Sequence, residues 1–192
     1  MTTLIPFASL APVPWKNGGG STTQIAIAPP EAVFDDFEWR ISLATIASDG
    51  PFSQFPGVDR TLVLVEGNGL LLDIDGEDQV LVCDDDPLAA FAGESQVSAK
   101  LNRGPTTDFN VMTRRDRCHH EFGRRRLAGE SRFAARADVT VLFLAQGDAL
   151  TVSNDAERIG MVRYDAVMFE GEGLWTLEAG QGEVFIVDIY YE

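Results

Sequence analysis

The chain has 192 residues, 45% of them hydrophobic, with 15 Lys+Arg against 30 Asp+Glu and a formal charge of −15. That is enough apolar material for one large domain or two small ones, and a field of that sign repels phosphate backbones, which argues against nucleic acid as a partner. Cys83 and Cys118 are too few for a disulfide framework and are not spaced as a metal-binding pair. No run of about 18 apolar residues occurs and the N-terminus has no charged leader region, so a soluble, unexported protein of the reducing cytoplasm, without membrane contact, is expected.

In chain order, the first informative stretch is PWKNGGGSTTQIAI (14–27), a glycine run before a strand. It lacks the Gly-Lys-Ser/Thr order of a phosphate loop and opens no helix, so nucleotide binding gains no support. Its glycines permit positive φ and close approach to a neighbour; a turn alone explains them equally well. WRISLATI (39–46) alternates Arg40, Ser42 and Ala44 with Trp39, Ile41 and Leu43. Strand-like runs follow in RTLVLVEG (60–67), LLLDIDG (70–76) and QVLVC (79–83), rich in branched residues and bounded by Gly and Asp. DPLAAFAG (86–93) reads as a short helix, with Asp86 as cap and Pro87 at the first helical position.

DFNVMTRR (108–115) then poses a question, because Asp108, Asn110 and Met112 alternate with Phe109 and Val111. Successive strand residues face opposite sides of a sheet, so the polar set meets either water or a cavity. Eight arginines follow between Arg114 and Arg136. Such a basic run suits a solvated linker or face, and 114–137 reads as the join between two halves. The second half returns to strands: VTVLFLAQG (139–147), DALTV (148–152), AVMFEG (166–171), LWTLEA (174–179) and EVFIVDIYY (183–191).

The halves are alike. TLVLVEGNGLLLDIDGED and TVLFLAQGDALTVSNDAE share an apolar strand, a Gly turn and a second apolar strand. This repetition suggests duplication of a small barrel, and the strand–Gly–strand order resembles the cupin family. The expected fold is all-β: a bicupin of two cupin-like barrels or sandwiches with few short helices. Its parts would be an N-terminal barrel over 1–113 holding the ligand pocket, the connection 114–137, and a C-terminal barrel over 138–192 packed with the first as one unit.

Metal-dependent cupins carry His-x-His, a Glu and a further His. Aligned on RTLVLVEG, those positions fall on Ser53, Phe55, Arg60 and Gln96. None is a first-choice ligand and a guanidinium opposes a cation, so no metal and no cofactor are expected. His119 and His120 are adjacent, and on a strand they point apart.

A guanidinium inside a barrel must meet a protein carboxylate or an anionic ligand. If Trp39, Ile41, Phe109 and Val111 pack outward, then Arg40, Ser42, Arg60, Asn110 and Met112 point into one barrel. Two guanidinium forks, a hydroxyl and a carboxamide suit a small carboxylate with a polar remainder. The alternative is that Arg40 and Arg60 pair with Asp108, Asp59 or Glu66 and tie the barrel together.

The set PWKNGGGSTTQI, FEWRISLATI, GPFSQFPGVDR, LVEGNG, VSAKL and DFNVMTRRD resembles the HutD/Ves family of bicupin-like bacterial proteins, across nearly the whole chain. The resemblance implies a cytoplasmic accessory protein of histidine utilisation that binds an intermediate such as N-formylglutamate or urocanate, without established enzymatic activity. It places the family's pocket on Trp15, Asn17, Thr22, Arg40, Ser42, Arg60, Asn110 and Met112, with no catalytic residue. The chain departs from the family at Thr23-Gln24, where Arg-Glu is frequent. Two functional classes follow: a binding protein for a small anionic ligand, or a metal-independent isomerase or hydrolase whose base would come from Asp108, Asp59 or Glu66. A homodimer is left open.

Overall fold

The computed structural model of the chain describes residues 1–32, 36–83, 85 and 87–192. It divides into two compact units, one of Ala11–Cys118 and one of Met1–Leu10 with His119–Glu192. Both are built from strands, and a single 3-10 turn at Phe7–Ser9 is the only helical element among the described residues. No described helix is long and apolar enough to cross a membrane.

Strand β1 (Thr2–Ile5) belongs to the second unit. The first unit runs through β2 (Pro12–Pro14), β3 (Gly20–Ala28), β4 (Trp39–Ile46), β5 (Gly50–Pro51), β6 (Val58–Glu66), β7 (Leu70–Ile74), β8 (Glu77–Leu81), β9 (Leu88–Ala92), β10 (Val97–Leu101) and β11 (Thr106–Arg114). A six-stranded sheet, β2-β3-β4-β11-β6-β9, and a four-stranded sheet, β5-β10-β7-β8, make up this unit. One apolar cluster joins them: Ile46, Leu62, Leu64 and Ala89 from the larger sheet with Leu70, Leu72, Leu81 and Val97 from the smaller. Fully burying each large aliphatic side chain contributes ~1.5–3 kcal/mol. That cluster defines the inner face of the six-stranded sheet.

The second unit adds β12 (Cys118–Ala135), β13 (Val139–Gln146), β14 (Ala149–Ser153), β15 (Arg158–Val162), β16 (Ala166–Glu170) and β17 (Gly173–Tyr191). Its sheet has the order β1-β16-β13-β17-β14-β15, with β12 also paired to β17. Leu142, Leu144, Val152, Phe169, Leu177 and Val184 fill its core.

Three expectations are corrected. Residues 88–92 are strand β9, not a helix, because Ala89 and Phe91 alternate with Leu88 and Ala90 and pair along β6; tertiary pairing overrides the helix propensity of alanine. Asp86, expected as the cap, lies outside the described residues. The basic stretch is strand rather than linker: most of it is β12, Arg115, Arg117, Arg126, Arg132 and Arg136 are exposed along it, and some of its arginines are paired with carboxylates. Arg115 holds Asp59 and Glu94, while Arg124 and Arg126 meet the buried Glu183. LWTLEA and EVFIVDIYY are one strand, β17, which pairs with β14 through Leu177 and with β13 through Ile186. The first unit therefore extends to Cys118, and the first ten residues return to the second through the pairing of β1 with β16.

Candidate functional site

Strand register brings the site residues together. In an antiparallel sheet, directly opposed residues project to the same face. Asn110 on β11 opposes Ser42 on β4 and Leu62 on β6, and Leu62 belongs to the core between the two sheets. One residue pair further along, Met112 lies between Arg40 and Arg60; one pair back, Asp108 lies between Ala44 and Leu64. Strand β3 extends these rows with Gln24 beside Ser42 and Thr22 beside Ala44. On the far side, Phe91 of β9 stands beside Arg60. The inner face thus presents three parallel rows of side chains, ~7 Å apart along the strands.

The question posed by DFNVMTRR has an answer the sequence did not contain. Asn110 and Met112 share the inner face with the core, yet Phe109 and Val111 on the other face are also fully buried. Both faces of β11 are inside, and the polar residues occupy the face of the rows.

Arg60 is the centre of this arrangement. Its side chain is 8% exposed, its Nε and Nη2 donate to Asn110 Oδ1 at 3.4 and 3.1 Å, and its Nη1 donates to the Ser53 carbonyl at 3.3 Å. The guanidinium carbon lies 5.0 to 5.6 Å from the ring centres of Phe52, Phe55 and Phe91, within cation–π range. Burial, and then the positive charge of Arg40, lower its pKa to about 10. It remains charged at neutral pH.

Among the described residues no carboxylate forms an ion pair with Arg60. Asp59 is taken by Arg115, and Asp108 is bonded to Thr106. Asp108 is wholly buried; its Oδ2 accepts from Thr106 Oγ1 at 3.1 Å and its Oδ1 has no partner. Burial pushes this carboxyl up to about 7, against a smaller opposing effect of the Thr106 bond.

Exposure is graded across the face. Gln24 is exposed, Thr22, Arg40 and Ala44 are half-buried, and Ser42, Asn110, Met112, Arg60 and Asp108 are buried. Solvent therefore reaches the rows from the β3–β4 side, where Arg40 Nε donates to Gln24 Oε1 at 3.2 Å. Burial also lowers the pKa of Arg40.

The remaining expected residues divide. Trp15 packs on the core of the first unit and its Nε1 donates to Thr22 Oγ1 at 2.8 Å, so both are tied to this face. Asn17 is not brought there: it is exposed, and its Oδ1 accepts from Gly19 N within the turn. The glycine run serves this turn. Gly18 has a φ of +73°, and a Cβ at Gly20 would stand 2.2 Å from the Thr45 carbonyl oxygen and 2.9 Å from the Trp15 ring. The close approach permitted by the glycines is to β4 and Trp15. Replacing Thr22 with valine, which keeps the shape and removes the acceptor, is expected to cost about 1 kcal/mol of stability by leaving the indole N–H unpaired. Thermal unfolding of Thr22→Val beside Thr22→Ser checks this, and identical melting of the two would show that the bond contributes nothing.

Sequence reasoning missed Phe52 and Phe91 as walls around Arg60. A signal existed for Phe91, since LAAFA read as a strand places it two residues from the core residue Ala89. Of the positions where metal cupins place ligands, Arg60 is held against Phe55 and the Ser53 carbonyl. Among the described residues, no group of three or more His, Cys, Asp or Glu is gathered as a metal ion would require.

Comparison with known proteins is consistent over most of the chain. A sequence model of the HutD family matches residues 8–186. An uncharacterized 21.2 kDa protein from the hutC 3' region of Pseudomonas putida is 36% identical over 183 residues, covering 92% of this chain and 91% of that one. Protein Ves of Citrobacter koseri is 44% identical over 105 residues, 54% of this chain and 53% of its own. The structure of HutD from Pseudomonas fluorescens SBW25, solved in a formate condition, superposes with a TM-score of 0.84 at 28% identity, covering 100% of both chains. A bacterial pirin from Escherichia coli, at 11% identity and a TM-score of 0.69 over 98% of both chains, shares the fold alone. The chain has the all-β bicupin fold expected from its internal repeat.

Proposed function

The chain belongs to the HutD family, and from that premise we propose that it binds a small carboxylate on the inner face of the six-stranded sheet, acting as an accessory protein in histidine degradation. One observation carries this reading: a buried guanidinium, Arg60, that no described carboxylate neutralises, with a second guanidinium, Arg40, in the same row. Isolated buried charge is costly, and an anionic ligand offsets that cost while gaining charge-assisted hydrogen bonds. Arg60 and Arg40 hold the carboxylate; Asn110 and Ser42, in the next row, read the polar remainder. Phe52, Phe55 and Phe91 surround the Arg60 guanidinium with apolar surface, and an ion pair formed in such a low-dielectric setting is strengthened. N-formylglutamate and urocanate, both small carboxylates with a polar remainder, fit this chemistry, and a cytoplasmic setting follows from such ligands.

A thermal-shift screen of small acids, with intermediates of histidine breakdown among them, tests the proposal. A ligand that binds only the folded state raises apparent stability by RT ln(1 + [L]/Kd), about 2.7 kcal/mol at a hundredfold excess over Kd. The expected result is a concentration-dependent rise for carboxylates and none for their neutral amides. Equal shifts for acids and amides would exclude the anion site.

A second reading, a metal-independent isomerase or hydrolase acting on the same acid, is favoured by Asp108 alone, whose carboxyl is pushed up to about 7, where a general base works well. Product formation followed by NMR with each acid that gives a shift separates the two readings.

A further inference from the structure

Asp108 is hard to explain as structure. It is wholly buried, it belongs to the same face as Arg60 and Asn110, and its Oδ1 has no partner. A buried, unsatisfied carboxylate oxygen costs stability with no return inside the fold. Its neighbours in the row are apolar or small: Leu64 on one side, Ala44 and then Thr22 on the other. Ala44 and Thr22 are half-buried, so the Asp108 row is nearest to solvent on the same β3–β4 side as Arg40. The row lies next to that of Asn110 and Ser42, ~7 Å further along β11.

We propose that Asp108 accepts a hydrogen bond from an N–H of the bound acid, so that the site selects carboxylates bearing an amide, amine or imidazole N–H over those without one. The inference rests on the reading of the site as an anion site and adds a direction to it. The carboxylate lies in the row of Arg60 and Arg40, the polar middle lies at Asn110 and Ser42, and the donor end points to Asp108 Oδ1. A ligand lacking that donor leaves the carboxylate oxygen buried and unpaired, and sites built for a donor reject analogues without it for that reason. The raised pKa of Asp108 has the same origin, and the acceptor is ionised at pH 8.

The test is calorimetric titration at pH 8 of the parent and of Asp108→Ala with three acids: N-formyl-L-glutamate, N-formyl-N-methyl-L-glutamate and glutarate. The parent is expected to bind the first at least about tenfold more tightly than either of the others, the loss of one hydrogen bond to a charged group. Glutarate guards against a purely steric effect of the added methyl. In Asp108→Ala, where the methyl has room, the preference over the N-methyl acid should vanish, and the preference over glutarate should shrink to what the formyl contacts with Asn110 and Ser42 supply, while all three acids still bind. Asp108→Leu, which fills the site with an apolar side chain, serves if the alanine variant does not fold. If the formyl acid and its N-methyl analogue bind the parent alike, or if the preference between these two survives loss of Asp108, this inference is overturned while the anion site stands on its dependence on Arg60. If none of the three binds the parent, the anion site and the inference fall together.

Discussion

Replacing Arg60 with alanine is expected to weaken binding of the best small carboxylate by roughly tenfold to a hundredfold, the ~1.5 to 3 kcal/mol of a hydrogen bond to a charged group. The reason is positional. Arg60 is the most buried guanidinium of the inner face, held by Asn110 and the Ser53 carbonyl and flanked by Phe52, Phe55 and Phe91. It is therefore oriented before the ligand arrives, and little ordering cost remains at binding. Arg60→Lys should recover only part of the loss, because an ammonium keeps the charge and loses two-point contact with a carboxylate. Ser42→Ala should cost less than either. Without ligand, Arg60→Ala should retain a cooperative melting transition: what it loses is packing against three rings, and what it relieves is an uncompensated buried cation. Titration and melting are measured on the same preparation. A folded Arg60→Ala that binds as tightly as the parent would remove the anion site.

The second large effect concerns pH. Burial raises the Asp108 carboxyl from the ordinary aspartate range to about 7, so folding takes up a proton at this residue between about pH 4 and pH 7. A carboxyl whose folded pKa is raised stabilises the fold below its unfolded pKa, and that contribution is lost as pH rises through the folded value. Asp108 should thus make the ligand-free protein progressively less stable from pH 4 to pH 7, then change little to pH 8. Asp108→Asn removes the titration. The stability of the variant relative to the parent should therefore rise by about 2 to 4 kcal/mol between pH 4 and pH 8, since one pKa unit corresponds to ~1.4 kcal/mol. All other titrating groups cancel in the difference, so denaturant unfolding of both proteins across this range isolates the residue. Parallel stability curves for the two proteins would show that Asp108 keeps an ordinary pKa.

Both predictions depend on facts of unequal visibility in the sequence. That Arg40 and Ser42 share a face, and Asn110 and Met112 another, follows from the period of two along a strand and needs no knowledge of the fold. That Arg60 belongs with them depended on an assumption about which face was inside, and a slip of one residue would have inverted it. The register of β11 between β4 and β6 settles the matter, through Leu62 opposite Asn110 and in the core. DPLAAFAG misled because alanine and an N-terminal proline are local helix signals, whereas the unpaired edge of β6 is a long-range demand. The arginine run marks a solvated face, as charge density suggests, but that face is carried by a strand, β12, and not by a linker; Asp59, Glu94 and Glu183 are brought to the run from 21 to 59 residues away.

The all-β character, the internal repeat and the alternation that groups Arg40 with Ser42 and Asn110 with Met112 are legible before any fold is known, because these are written in local periodicity. The sequence also carried the family, through motifs spread from PWKNGGGSTTQI to DFNVMTRRD. Tertiary structure alone decided that Arg60 lacks an ion-pair partner among the described residues, that three rings surround it, that both faces of β11 are buried, and that Asp108 Oδ1 is unpaired. Partnership and desolvation depend on which distant residues arrive beside a group, and no local pattern encodes that.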